Sequence, residues 1–228
     1  MISVDAGNTR IKALVFNEDG SVAERQNWPT SARAEALMWL QQQQSKPLWI
    51  CDSTGYDWPV GRQVRAEDRW SFQLDYAPTV GVDRLAALEG ARQRFPSGAL
   101  LMVSLGTCIT YSYLSADHRF QGGAISLGWT SRLRALHEFT GSLPRLDPVA
   151  AADSDPRTAT SEASMLRGVF QGMLDELGAE IHRFEKINGD LTLIFTGGDG
   201  LTFANHLKKG IFADENWVAL GLWALAQK

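Results

Sequence analysis

The chain has 228 residues, 44% hydrophobic and 21% charged, a size and balance that suit one large or two small globular domains. Its formal net charge of −4 supplies no broad basic field and disfavours a nucleic-acid partner. No run approaches the roughly 20 apolar residues of a membrane helix, the first residues lack the basic start of a secretory signal, and two distant cysteines, Cys51 and Cys108, fit a reduced, cytoplasmic protein.

Residues 2–4 read as a short strand entering a turn at Gly7, and residues 11–16 as a second strand. Asn17, Glu18, Asp19 and Gly20 then supply hairpin-turn chemistry. Residues 34–44 predict a helix with Leu37 and Leu40 on one face, and residues 48–51 a short apolar strand before the turn-rich stretch 52–55. From Asp83 the pattern becomes helical: Leu85, Leu88, Arg92 and Phe95 recur at spacings of three and four until Pro96, Ser97 and Gly98 stop the run.

The opening pattern then returns, with a strand at 99–103, a turn at Gly106 and Thr107, and a strand at 109–114. Its period is about half the chain, too long for a solenoid repeat. The expectation is two related α/β domains, 1–96 and 97–228, with a cleft between them and the C-terminal helix 216–226 packing back on the first. Between these lie predicted helices at 130–139 and 160–188 and an expected mobile loop at Asp153, Ser154, Asp155 and Pro156. A buried strand at 191–195 ends in Thr196, Gly197 and Gly198.

Three places carry residues suited to chemistry. In Asp5-x-Gly7-Asn8-Thr9-x-x-Lys12, Gly7 lets an anion approach main-chain N–H groups, Asn8 and Thr9 add donors, and Lys12 adds compact positive charge. Asp5, at a strand end, suits Mg²⁺, a hard cation that prefers oxygen. The same residues equally describe a plain hairpin turn. In Gly81-Val82-Asp83-Arg84, Asp83 is either a helix cap or a base for a substrate hydroxyl, beside an Arg84 that can grip an anion. Ser104-Leu105-Gly106-Thr107-Cys108-Ile109-Thr110 repeats the first loop. Four histidines have no metal spacing, and neither a Ser/His/Asp motif nor a G-x-x-x-x-G-K-[ST] loop is present.

Taken in order, D-x-G-N-T-x-x-K (5–12), G-x-D-R (81–84), G-T-x-x-T (106–110), G-G-x-I (122–125) and T-G-G (196–198) resemble the type III pantothenate kinases of the actin-like/sugar-kinase superfamily. The resemblance spans nearly the whole chain, and five short motifs in the right order are far more specific than any one. It implies an α/β fold of two ribonuclease-H-like (actin-like ATPase) domains with a cleft between them. It also implies a homodimer with the substrate pocket near its interface, and ATP-dependent phosphorylation of the primary hydroxyl of pantothenate, the first step of coenzyme A synthesis. The implied cofactors are ATP and Mg²⁺, with K⁺ or NH₄⁺ as activator.

Carried over residue by residue, Asp5, Ala6, Gly7, Asn8, Thr9, Arg10, Ile11 and Lys12 form the first ATP-phosphate loop, and Thr107 touches ATP from the second. Asp83 is the general base. Gly81, Val82, Asp83 and Arg84 line the pantothenate site, with Arg84 meeting the carboxylate and Tyr76 supplying an aromatic contact. Ser161 stands where the family has a substrate-binding Thr, with Thr160 as a substitute. The chain departs from the pattern at Ser104, where the family has an Asp that helps bind the monovalent cation; a hydroxyl lacks that charge. Leu127 replaces a Pro. A kinase for another small hydroxylated acid, or a catalytically weak regulatory relative, are the alternatives to pantothenate kinase.

Overall fold

The computed structural model describes residues 1–43, 45–150, 156–207 and 209–228; Gln44, at the end of the first predicted helix, and Asp153, Ser154 and Asp155 of the expected mobile loop lie outside the described residues. In chain order the strands are Ile2–Ala6 (β1), Arg10–Phe16 (β2), Val22–Pro29 (β3), Leu48–Asp52 (β4), Arg62–Gln63 (β5), Gln73–Leu74 (β6), Ala99–Leu105 (β7), Cys108–Leu114 (β8), Arg119–Phe120 (β9), Ile125–Leu127 (β10), Leu191–Thr196 (β11) and Ile211–Ala213 (β12). The helices are Arg33–Gln42 (α1), Val82–Arg94 (α2), Trp129–Glu138 (α3), Ser161–Asn188 (α4), Gly200–His206 (α5) and Trp217–Ala226 (α6). This is a mixed α/β fold, divided by its contacts into two compact units.

The first unit comprises Met1–Ser97, Ala116–Gln121 and Asn216–Lys228. Its sheet runs β3-β2-β1-β4-β5, so β1 is central, antiparallel to β2 and parallel to β4. Alternation along the strands assigns the two faces. Ile2, Val4, Ala6, Ile11, Ala13 and Val15 pack with Ala36 and Leu40 of α1. Leu14 and Phe16 turn the other way, onto Ala219 of α6. The polar edge strand β3 escaped the sequence reading, because its half-exposed V-A-E-R-Q-N-W-P shows no apolar alternation.

Helix α2 is buried almost all round, from Arg84 to Arg92, as expected of a helix covered on more than one side. It crosses α6 with the two backbones nearly touching: a Cβ at Gly221 would stand 1.7 Å from the Ala86 carbonyl oxygen, and one at Gly90 2.5 Å from that of Trp217. Only glycines allow that approach. The fully buried Glu89 of α2 accepts the Ser71 N–H at 2.8 Å and pairs with Lys228 Nζ at 2.8 Å, which ties the chain on either side of the unit to one helix. Segment Ala116–Gln121 adds β9, which lies parallel to β6 with Gln73 beside Arg119 and Leu74 beside Phe120.

The second unit comprises Gly98–Ser115 and Gly122–Glu215. Strands β7 and β8 form an antiparallel hairpin; β11 joins β7 in parallel, β12 joins β11 in parallel, and β10 pairs antiparallel with β8. Leu101, Val103, Leu105, Ile109 and Tyr111 pack with Trp129 and Leu133 of α3 and with the α4 stripe Met165, Val169, Phe170, Met173, Leu177 and Ile181. That stripe recurs at three and four residues, which turns one face of a 28-residue helix inward. Thr160 caps α4, its hydroxyl accepting the Ala163 N–H at 3.1 Å. Among the described residues no helix is long and apolar enough to cross a membrane.

The repeat read from the sequence is thus a repeat of topology. Each unit opens with an antiparallel hairpin whose first strand takes a parallel partner on its other side and whose second strand takes a third antiparallel strand. In each, that third strand leads into a helix, β3 into α1 and β10 into α3.

Candidate active site

In the first unit, strand alternation decides what faces the end of β1. Asp5 and Lys12 are direct cross-strand partners and so share one face. It is the face of Ser3 and Leu14, which α6 covers, and not that of Val4 and Ile11. Asp5 is pushed up to about 7, first by burial, then by the charge of Asp83, with Lys12 opposing the rise and Asp52 adding to it. A carboxylate crowded by two others and one ammonium is short of positive charge, a condition that a divalent cation relieves. The neighbouring Cys51 thiol is pushed well up by burial and the same carboxylates, so it stays protonated and is no nucleophile.

Asp83 is the second residue of α2, and the N-cap is Gly81, which makes no side-chain capping bond. The cap reading of Asp83 is therefore replaced by a first-turn position. Its carboxylate folds back so closely that a Cβ on Gly81 would lie 2.5 Å from Oδ1. Burial holds its pKa above the ordinary carboxylate value, against the lowering effect of the Arg84 N–H and the Arg84 charge. A carboxyl raised this way is a better proton acceptor near neutral pH than a free one.

Arg84 is buried, with its guanidinium carbon 5.6 Å from the centroid of Tyr76 and 5.3 Å from that of Phe120. Phe120 is fully buried and Tyr76 is 40% exposed, so the cradle is closed on one side and open on the other. Arg119 holds the residue before Tyr76, pairing both guanidinium ends with Asp75 at 2.6 and 2.5 Å. Phe120 was missed in the sequence, where it is a lone aromatic in a polar stretch.

The first loop itself, Gly7 to Thr9, is tied down by its carbonyls. Ala6 O accepts from Ser53 N at 3.0 Å and from Ser53 Oγ at 3.3 Å. Gly7 O accepts from Thr30 Oγ at 2.9 Å, and Thr9 O from Thr30 N at 3.0 Å. Gly7 N closes the turn on Arg10 O at 2.9 Å. Asn8, Thr9 and Arg10 are exposed, whereas Ala6 and Ile11 are wholly in the core and can offer a ligand only their main chain.

Asp52, read from sequence only as part of a turn, is an organiser. Its Oδ1 accepts Thr54 N at 2.8 Å and Tyr56 N at 3.1 Å, and its Oδ2 accepts Trp58 Nε1 at 2.8 Å. An Asp after an apolar run with Ser or Thr following is the Asx-turn signal that marks it.

In the second unit, Gly106 N closes the matching turn on Cys108 O at 3.0 Å. Thr107 is exposed, and its carbonyl accepts from Gly128 N at 3.0 Å and Ser131 Oγ at 2.7 Å. Ser104 lies in β7 between Thr110 of β8 and Thr196 of β11, neutral hydroxyl residues on both sides. Ser161 is the first residue of α4 and lines, with Thr158, Thr160 and Ser164, a shallow hollow rich in hydroxyls. The Thr160 hydroxyl is already engaged as the helix cap. Asp5, Lys12, Tyr76, Asp83 and Arg84 thus belong to the first unit, and Ser104, Thr107 and Ser161 to the second.

No group of three or more metal-ligating side chains clusters among the described residues. Mg²⁺ does not require one, since it keeps several waters and is held by one or two carboxylates plus substrate phosphates. The charge-poor Asp5, with Asp83 and Asp52 about it, fits such a cation. Ser104 itself offers a hydroxyl and no charge, and its cross-strand neighbours Thr110 and Thr196 are neutral as well.

A family model described as type III pantothenate kinase matches residues 57–183. The type III pantothenate kinase of Christiangramia forsetii is 38% identical over 155 residues, which are 66% of this chain and 62% of that protein, so the match spans about three-fifths of its relative's length. That of Flavobacterium psychrophilum is 28% identical over 246 aligned positions, covering 100% of this chain and 98% of the relative. Among solved structures, a Baf family transcriptional activator from Campylobacter jejuni superposes with a TM-score of 0.70 at 18% identity, covering 100% of this chain and 98% of the other. A 2-dehydro-3-deoxygalactonokinase from Sinorhizobium meliloti gives 0.63, also at 18% identity, over 99% and 98% of the two chains. At such identities the likeness is one of fold.

Proposed function

Because this chain belongs to the type III pantothenate kinase family, we propose that it transfers the γ-phosphoryl group of ATP to the primary hydroxyl of pantothenate, the entry step of coenzyme A synthesis. The observation that carries the reading is the convergence, in one unit, of Asp5, Lys12 and Asp83 beside a buried Arg84 held between two rings.

Arg84 binds the substrate carboxylate, and Tyr76 covers the open side of its cradle. Asp83 accepts the hydroxyl proton as the substrate oxygen bonds to the γ-phosphorus and the bond to the β–γ bridging oxygen breaks, which releases ADP. Lys12 and the N–H groups of the Gly7 loop face the phosphates. Mg²⁺, when held by Asp5, supplies positive charge to the transferring group. Phosphoryl transfer needs this positioning and charge stabilisation more than covalent help. The homodimer and cytoplasmic location implied by the family belong to the same proposal.

Incubation of purified protein with Mg²⁺, ATP and pantothenate is expected to yield phosphopantothenate. Its absence, with and without K⁺ or NH₄⁺, overturns the reading. Where the family has a carboxylate, Ser104 carries none, so activity is expected to stay flat as K⁺ is added at constant ionic strength. A steep rise would mean that other oxygens complete a cation site.

A further inference from the structure

The two candidate phosphate loops share a device that neither motif contains. A backbone loop binds an anion with its N–H edge, while its carbonyl oxygens repel the same anion. Each peptide that turns its carbonyl outward therefore weakens the site, and turning it back on binding uses up affinity.

In the first unit one residue holds the carbonyls of both Gly7 and Thr9. Thr30 follows the last residue of β3; its N–H continues the β2–β3 ladder onto Thr9 O at 3.0 Å, and its hydroxyl reaches Gly7 O at 2.9 Å. In the second unit the same topological place, just past β10, is shared by two residues. The Gly128 N–H meets Thr107 O at 3.0 Å, and the Ser131 hydroxyl meets that same carbonyl at 2.7 Å. The match is positional, because Thr9 and Thr107 each immediately precede the second strand of their hairpin. Gly128 explains the division of labour. A Cβ there would stand 1.8 Å from Gly106 O, so no side chain fits, and the hydroxyl has moved one helical turn onward.

We propose that Thr30 and Ser131 are positioning residues for nucleotide binding, each a hydroxyl pin that holds the carbonyls of its loop away from the phosphates. Neither touches the ligand. The inference deepens the kinase reading and rests on its nucleotide-binding half. It predicts that the pins act on affinity for the polyphosphate, not on the proton transfer at Asp83 or on the substrate carboxylate at Arg84.

The test compares Thr30→Val and Ser131→Ala with the conservative Thr30→Ser and Ser131→Thr in the full chain. Calorimetry gives the Kd for Mg-ATP, steady-state assays give KM for ATP and for pantothenate, and melting temperature monitors folding. Each deletion removes one neutral hydrogen bond, so the Val and Ala variants are expected to weaken ATP binding roughly three- to tenfold each. The KM for pantothenate should stay unchanged, and the Ser and Thr variants should restore wild-type affinity. Unchanged ATP affinity in both deletions overturns the proposal, as does a loss shared equally by pantothenate or explained by a collapsed melting temperature. If wild-type protein binds ATP but does not phosphorylate pantothenate, the substrate reading fails while the calorimetric comparison still judges the pins. If wild-type protein binds no ATP, both fail.

Discussion

Replacing Asp83 by Asn is expected to lower kcat by about 10²- to 10⁴-fold, the usual worth of a positioned general base, with little change in ATP affinity. The substitution keeps the shape of the side chain that folds over Gly81. It removes the carboxylate that accepts the hydroxyl proton in the proposed reaction. Because burial holds the Asp83 carboxyl above its ordinary pKa, the wild-type rate should climb with pH as that group ionises, and the residual rate of the Asp83→Asn variant should lose that limb. Pre-steady-state measurement separates the step from product release. Full activity in this variant would remove Asp83 from the chemistry and leave it as a first-turn helix residue.

The second large effect concerns Asp5 and runs in opposite directions for stability and turnover. The folded protein holds this carboxyl at about 7, against an ordinary value of 3.8. Below about pH 4 it is protonated in both states and contributes nothing. As pH rises toward 7 the unfolded chain ionises first, so the folded state binds the extra proton and stability falls; above about 7 the full destabilisation remains. At about 1.4 kcal/mol per unit, the rise from 3.8 to about 7 costs on the order of 4 kcal/mol in the metal-free protein. Asp5→Asn is therefore expected to raise the melting temperature of metal-free protein by roughly 8–16 °C at about pH 8 and to change it little at about pH 4. The same variant should lose about a hundredfold or more in activity, since a first ligand matters at least as much as an outer partner worth about 10- to 100-fold. Addition of Mg-ATP should stabilise wild-type protein and not the variant. A variant less stable than wild type at alkaline pH would refute the crowded-carboxylate account, whose other members are Asp83, Asp52 and Lys12.

Much of this was legible in the sequence because it is local. A run into Gly-Thr, a second run, and later the same again fixes two hairpins, and alternation then fixes which side Asp5 and Lys12 share. Asp83 and Arg84 sit where a helix pattern begins, so their placement at the mouth of α2 needed only a boundary. What escaped was either polar or distant. Strand β3 and Thr30 hide in a half-exposed edge, and helix α5 opens in T-G-G-D-G, whose glycines read only as a turn. Phe120 closes the Arg84 cradle from 36 residues away, and no periodicity reports such a meeting. The buried Glu89, whose partners are Ser71 and Lys228, looks in sequence like any surface helix acid.

The makeup of the first unit bears on the order in which the protein matures during synthesis. Its central hairpin and α2 leave the ribosome early, but Ala116–Gln121, with Phe120, comes later, and Asn216–Lys228 last of all. Until then α2 lacks the helix that Gly90 and Gly221 admit against it, and Glu89 lacks Lys228. The second unit draws on a nearly continuous stretch and can condense while the tail is still being made. The proposed base and arginine, Asp83 and Arg84, are thus made early but sit in the unit whose segments are synthesised furthest apart, so their packed surroundings are completed only after much of the second unit has been made.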